Sequence, residues 1–251
     1  MRILITNDDG IYAPGINSLA KEISKKHEVI MVAPLEQRSA FSHSITIRKP
    51  ILVKEVKLPE LSIKSYGING TPADCVRVAL DKLIPDNVDL VLSGINFGLN
   101  IGTDVLYSGT VSAAIEASLY NIPSIAVSQQ IVNTEEVNFN AAAKYACHIL
   151  EKAKDYLNDN IVLNINVPAL PETDVKGIKV CKIGDKVFNN TFSETIDENG
   201  EMSLLLNGTI NEEKNLDSDR FYLKQGYVTV TPLHYDFTNY NVIKEVENWI
   251  Y

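Results

Sequence analysis

Apolar side chains follow two rhythms along the chain. Short runs of mostly branched residues fit strands buried on both faces of a sheet: Ile3-Leu4-Ile5, Val29-Ile30-Met31-Val32-Ala33, Leu90-Val91-Leu92, Ser124 to Ser128 and Ile161 to Val167. Between them the apolar positions recur at helical spacing. Ile16, Leu19, Ala20 and Ile23 fall at i, i+3, i+4 and i+7 in a segment that Pro14 opens and that ends near Lys26. Ala73, Val76, Leu80 and Leu83 follow a helix start at Thr71-Pro72-Ala73-Asp74, with Thr71 as N-cap and an acid at the third position. Val111, Ala114, Ile115 and Leu119 follow Ser108-Gly109-Thr110 and run to about Tyr120. Ala142, Tyr145, Ala146, Ile149, Leu150 and Ala153 mark a long helix over roughly 138–157. Strand, helix and strand at this spacing make βαβ units with right-handed crossovers, so residues 1–170 are predicted to form a doubly wound, mostly parallel α/β sheet of Rossmann-like type.

Two stretches depart from this rhythm. Residues 51–66 read as extended structure outside the regular alternation. Residues 176–235 read as a β-rich arm, with hairpin cues at Asn199-Gly200 and Asn207-Gly208. Within it the segment from Thr191 to Asn215 is polar and acidic, which suits an arm more than a core element. Gly226 to Thr231 is a strand stopped by Pro232, and residues 236–251 end in a helix carrying Val242, Val246, Trp249 and Ile250. The expectation is one domain over 1–251, with no repeat and no low-complexity tract.

Composition narrows the partners. The net charge of −9 argues against a nucleic-acid polymer, whose phosphate backbone needs a basic surface, but leaves room for a small phosphorylated substrate. Cys75, Cys147 and Cys181 are odd in number and make no CxxC pair, so they predict neither zinc site nor disulfide framework and fit small core residues in a reducing compartment. The N-terminal run is too short and too acidic for a signal peptide, and no apolar stretch reaches membrane-spanning length. A cytoplasmic protein without a membrane partner is expected.

The chemistry is expected beyond the carboxyl ends of the parallel strands. The first strand ends in Asn7-Asp8-Asp9-Gly10, and two adjacent carboxylates repel unless a cation joins them; a solvated turn is the alternative reading. Three polar loops leave strand ends, at 7–10, 35–44 and 93–110. They offer carboxylates at Asp8 and Asp9, hydroxyls at Ser39, Ser42, Ser44 and Ser108, and amides at Asn7, Asn96 and Asn100. An all-oxygen set suits Mg²⁺ or Mn²⁺ over zinc or copper. The helix start at Ser108, Gly109 and Thr110 offers free amides to a phosphate, against the plainer reading of Ser108 as N-cap and Gly109 as a tight turn. Gly94, Gly98 and Gly102 recur every four residues and do not make GxGxxG, so a dinucleotide site has little support. His27 and His148 read as structural, His43 as a solvated loop residue, and His234 as a hinge or packing residue.

Taken together, ILITNDDGIYAPGI at 3–16, the Ser39 loop, NGTPADCV at 69–76, SGINFGLNIGTDVLYSGTVSAAIEA at 93–117, NINVP at 164–168 and GYVTVTPL at 226–233 resemble the SurE family of survival proteins, metal-dependent 5'/3'-nucleotidases, over nearly the whole length. The resemblance implies one divalent cation per subunit, Mg²⁺ or Mn²⁺, on Asp8, Asp9, Ser39 and Asn96. It also implies a homodimer or homotetramer with a C-terminal helix exchanged between subunits and further contacts from the 180–215 arm. The family usually has glycine after the serine, where this chain has Ala40, and the arm at 185–215 has little that matches.

The expected reaction is hydrolysis of nucleoside 5'- and 3'-monophosphates, with the cation neutralising phosphate charge and orienting water for in-line attack, and with Asp8 and Asp9 as the catalytic carboxylates. Amides of Gly109 and Thr110 would hold the equatorial oxygens. A nucleophilic Asp8 or Asp9 is the rival within the enzyme class, disfavoured because carboxylates tied to metal are poor nucleophiles. A non-catalytic, phospho-accepting receiver-type module is the alternative outside it, and an oxidoreductase is weaker still. No general acid for the leaving oxygen is visible in the sequence.

Overall fold

A computed structural model of the chain describes residues 1–84, 86–135, 137–157 and 161–251. The strands are β1 (Arg2–Thr6), β2 (Glu28–Pro34), β3 (Val53–Glu55), β4 (Lys64–Ile68), β5 (Leu90–Phe97), β6 (Ser124–Gln129), β7 (Val162–Val167), β8 (Ile178–Val180), β9 (Phe188–Ile196), β10 (Met202–Ile210) and β11 (Val228–Leu233). The helices are α1 (Pro14–Ile23), α2 (Pro72–Val78), α3 (Gly109–Leu119), α4 (Asn140–Ala153), α5 (Asp219–Lys224) and α6 (Ile243–Ile250).

Nine strands form one sheet in the order β3-β4-β2-β1-β5-β6-β7-β11-β8. The run from β4 to β7 is parallel, β11 is antiparallel to β7, and β3 is antiparallel to β4. Strand side chains point alternately to the two faces, and each face is covered. Ile3 and Ile5 pack in a cluster with Ile16, Leu19 and Ile23 of α1 and Ala146 and Leu150 of α4. Leu4 faces the other way, with Cys75 and Val76 of α2 and Ala113 and Ala117 of α3. All three cysteines are free and buried.

The sheet is therefore doubly wound as the periodicity implies, but four readings change. The 51–66 segment leads into the regular alternation: β4 lies parallel beside β2, and β3 edges the sheet. The edge strand β3 left no periodic signal because all three of its residues are exposed. β8 and β11 also join the main sheet, which leaves β9 and β10 as a separate two-stranded ribbon. Of the two hairpin cues only Asn199-Gly200 turns the chain: Gly200 has φ +81°, its amide bonds the Asp197 carbonyl, and the Asp197 amide bonds the Glu201 carbonyl. Asn207 and Gly208 sit within β10, paired with Thr191 and Asn190. The ribbon is not uniformly polar. Its pairing puts Phe188, Phe192 and Ile196 on the same face as Met202, Leu204, Leu206 and Ile210, all of them exposed.

Candidate active site

The strand order reverses between β1 and β5: the chain proceeds from β1 to β2 on one side and later returns to β5 on the other. Loops leaving the carboxyl ends of such a pair diverge and open a crevice. Asp8 and Asp9 leave β1 at this place. Beneath them Asn7 is fully buried and folds back on the turn, its amide donating to the Gly10 carbonyl at 2.9 Å and its side-chain oxygen accepting the Gly10 amide at 3.2 Å. Asn7 is thus occupied in shaping the turn and does not face the crevice.

Asp8 is buried and accepts the Thr110 hydroxyl at 2.5 Å. Burial pushes its carboxyl up to about 6, the Thr110 hydroxyl opposes the rise, and the neighbouring Asp9 charge adds to it. Asp9 is half-buried, and burial raises it too, against the Phe97 amide at 2.8 Å and the Gln37 side chain at 3.4 Å. Gln37 also donates to the Ser39 hydroxyl at 2.9 Å. The 7–10, 35–44 and 93–110 loops therefore meet. Asp9, Gln37 and Ser39 form one hydrogen-bonded line, and Asp9 is tied to the residue after Asn96. Asn96 is itself half-buried, and its side chain donates to the Gly98 carbonyl at 3.0 Å, leaving its oxygen available.

Among the described residues, no Lys, Arg or His forms an ion pair with Asp8 or Asp9. Two adjacent carboxylates, both withdrawn from water and both without a cationic side chain, suit a bound cation. The oxygens around them come from carboxylate, hydroxyl and amide, the donors of a hard divalent ion. Among the described residues no group of three or more His, Cys, Asp or Glu side chains forms a metal cluster, as expected where serine and asparagine complete the set.

The start of α3 abuts this pair. Ser108 caps the helix through its hydroxyl, which accepts the Val111 amide at 3.0 Å. A β-carbon at Gly109 would lie 2.9 Å from Cβ of Asp8, so only glycine permits this approach. Ser108 and Thr110 thus have their hydroxyls occupied, one as cap and one on Asp8, and the Thr110 amide also bonds the Asp8 carboxylate.

Other candidates turn elsewhere. Asn100 is buried as a clamp under the loop: its side chain donates to Ser128 at 2.8 Å, its amide to Asn166 at 2.9 Å, and its carbonyl accepts from Asn164 at 2.8 Å and Asn166 at 3.0 Å. The Ser42 hydroxyl donates to the Leu106 carbonyl. His43 is no solvated loop residue, since its Nε2 lies 2.6 Å from a buried carboxylate oxygen of Glu116 in α3. His27 is structural, bonded to Glu151 at 2.8 Å.

The sequence did not reveal what fixes the far rim. Asp219, fully buried at the start of α5, accepts the Gly102 amide at 3.0 Å and the Gly184 amide at 2.8 Å. Arg220 pairs with Glu213 at 3.3 Å and donates to the carbonyls of Lys186 and Asn211, stitching together both roots of the ribbon. A cavity of about 560 Å³ lies between the loop at Gly98, Leu99 and Ile101 and the ribbon root at Val187, Phe188 and Asn211.

The profile of the family described as Survival protein SurE matches residues 3–190. A protein of Clostridium botulinum named 5'-nucleotidase SurE is 58% identical over 248 residues, covering 98% of each chain. One of the same name from Clostridium tetani is 49% identical over 250 residues, covering 99% of this chain and all of its own. The crystal structure of the SurE protein from Aquifex aeolicus superposes over the whole of both chains with a TM-score of 0.87 at 34% identity.

Proposed function

The chain belongs to the survival protein SurE family, and from that premise we propose that this nucleotidase is a divalent-metal-dependent phosphatase of nucleoside 5'- and 3'-monophosphates. One observation carries the reading: Asp8, buried, and Asp9, half-buried, stand side by side at the sheet's switch point, and among the described residues neither has a cationic side chain. Asp8, Asp9, Ser39 and Asn96 would hold one Mg²⁺ or Mn²⁺. When bound, such an ion supplies charge neutralisation for the phosphoryl group and polarises water.

The chain's own residues do the rest. Thr110 holds Asp8 in place, and the Phe97 amide with Gln37 holds Asp9, so neither carboxylate rotates freely when substrate arrives. Amides of Gly109 and Thr110 face the equatorial phosphate oxygens in this reading. The cavity beside Gly98 gives the nucleoside a place next to Asn96. Two carboxylates engaged by a cation are weak nucleophiles, so water is the attacking group and no aspartyl-phosphate accumulates. The exposed apolar face of the ribbon, and α6 with no buried residue, support a homodimer or homotetramer in which the C-terminal helix is exchanged.

Asp8→Asn tests this. Hydrolysis of a nucleoside monophosphate with Mg²⁺ should fall below about 1% of the parent, given that loss of even an outer-shell partner costs about 10- to 100-fold. The melting temperature should hold, because the substitution removes a buried charge and keeps the shape. Near-parent turnover with Mg²⁺ would sink the assignment. A single, non-recurring phosphorylation of the protein would favour the receiver-type alternative.

A further inference from the structure

We propose that His43, Glu116 and Arg77 form a latch that positions Ser39 for the cation; this rests on the reading of Ser39 as a ligand. Ser39 itself is exposed and, among the described contacts, is held only through Gln37. The backbone beside it is strained. Ala40 has φ 58° and Ser42 φ 52°, left-handed values that side chains other than glycine rarely adopt. Such a loop keeps its shape only if later contacts hold it.

Before Ser39 the Arg38 amide donates to the Asp8 carbonyl at 2.7 Å, and the remaining contacts lie beyond it. The Ser42 amide donates to the Tyr107 carbonyl at 3.2 Å, the Ser44 carbonyl accepts the Thr71 hydroxyl at 2.7 Å, and Thr46 donates twice to Asp74. Between them His43 reaches Glu116 at 2.6 Å, and Arg77 meets the other oxygen of the same carboxylate at 3.2 Å. Glu116 is only 3% exposed in the middle of α3, where a lone carboxylate would be costly. Side-chain nitrogens from two different segments converge on it, His43 from the loop and Arg77 from α2. The helix that receives the loop is also the one whose Thr110 holds Asp8. Ser39 therefore lies between two ties to Asp8, the Arg38 amide on one side and, through His43 and α3, the Thr110 hydroxyl on the other.

His43 is a positioning residue, acting through Ser39. The test is direct Mn²⁺ binding to the full-length protein, read from the loss of the free-ion paramagnetic signal, for the parent, H43A, S39A, the double variant, H43Q and H43N. Loss of the latch should weaken Mn²⁺ binding about tenfold, the lower end for an outer-shell partner. Adding H43A to S39A should change affinity by less than about twofold, because the group through which His43 acts is already gone. H43Q, whose amide keeps the reach of Nε2, should bind nearly as the parent does, while H43N should not. If H43A does not fold, the contrast between H43Q and H43N decides alone. Parent-like binding by H43A or H43N overturns the latch, as does an equal loss in the S39A background, which a purely structural role would give. If the parent itself takes up no Mn²⁺, the metal reading falls and the latch falls with it; binding by the parent with indifference at His43 removes only the latch.

Discussion

The backbone at Ala40 shows what one side chain can cost. Its φ of 58° places a β-carbon where L-residues are disfavoured, and the SurE pattern that the sequence resembles usually has glycine there. Replacing Ala40 by glycine should raise the unfolding free energy by about 0.5–1 kcal/mol, less than the full penalty because glycine loses more freedom on folding. A urea midpoint that falls would contradict this. Asp8 and Asp9 were legible in the sequence because adjacent carboxylates after a buried strand demand a reason. Asn7 and Asn100 were not, since an asparagine that binds a ligand and one that clamps its own loop look alike in a sequence. Only burial and partners separate them. His43 was misread for the same reason: its partner lies 73 residues away on another element.

Helices and buried strands were readable from their periodicity, because a covered face leaves its mark on every third, fourth or second residue. Edges and connections were not. β3 has only three residues, all exposed, and Asn207-Gly208 carries a turn's composition within a strand. The clamp under the 98–102 loop belongs to the same class: Asn164 and Asn166, two residues apart in β7, share one face of the strand at buried positions that apolar residues usually fill, and both reach Asn100. Asn166→Leu would leave the Asn100 amide without its partner in a buried place. It should cost about 1–3 kcal/mol in chemical denaturation, with faster amide exchange at Asn100. An unchanged stability would mean that the loop finds other partners.

At the level of the whole molecule, the central sheet was readable, and the ribbon's apolar face was not, because its alternation is diluted by Asn, Thr and Glu. A two-stranded ribbon is marginal alone in water, and this one exposes all eighteen of its paired residues in β9 and β10. Such a surface is expected to be covered by a second copy. Sedimentation should give a dimer or tetramer, and Phe192→Asp with Leu206→Asp should lower the mass; a monomeric parent would refute the proposed assembly. Among the described residues no helix is long and apolar enough to cross a membrane.

Asp219 binds the amides of Gly102 and Gly184, residues 117 and 35 positions earlier in the chain. A nascent polypeptide that has emerged only as far as β10 already contains β1, β2, β5 and their helices, yet it lacks the carboxylate on which the outer rim of the crevice closes. Completion of that rim waits until residue 219 has been made, so a chain released before it would carry the two aspartates in an unfinished enclosure.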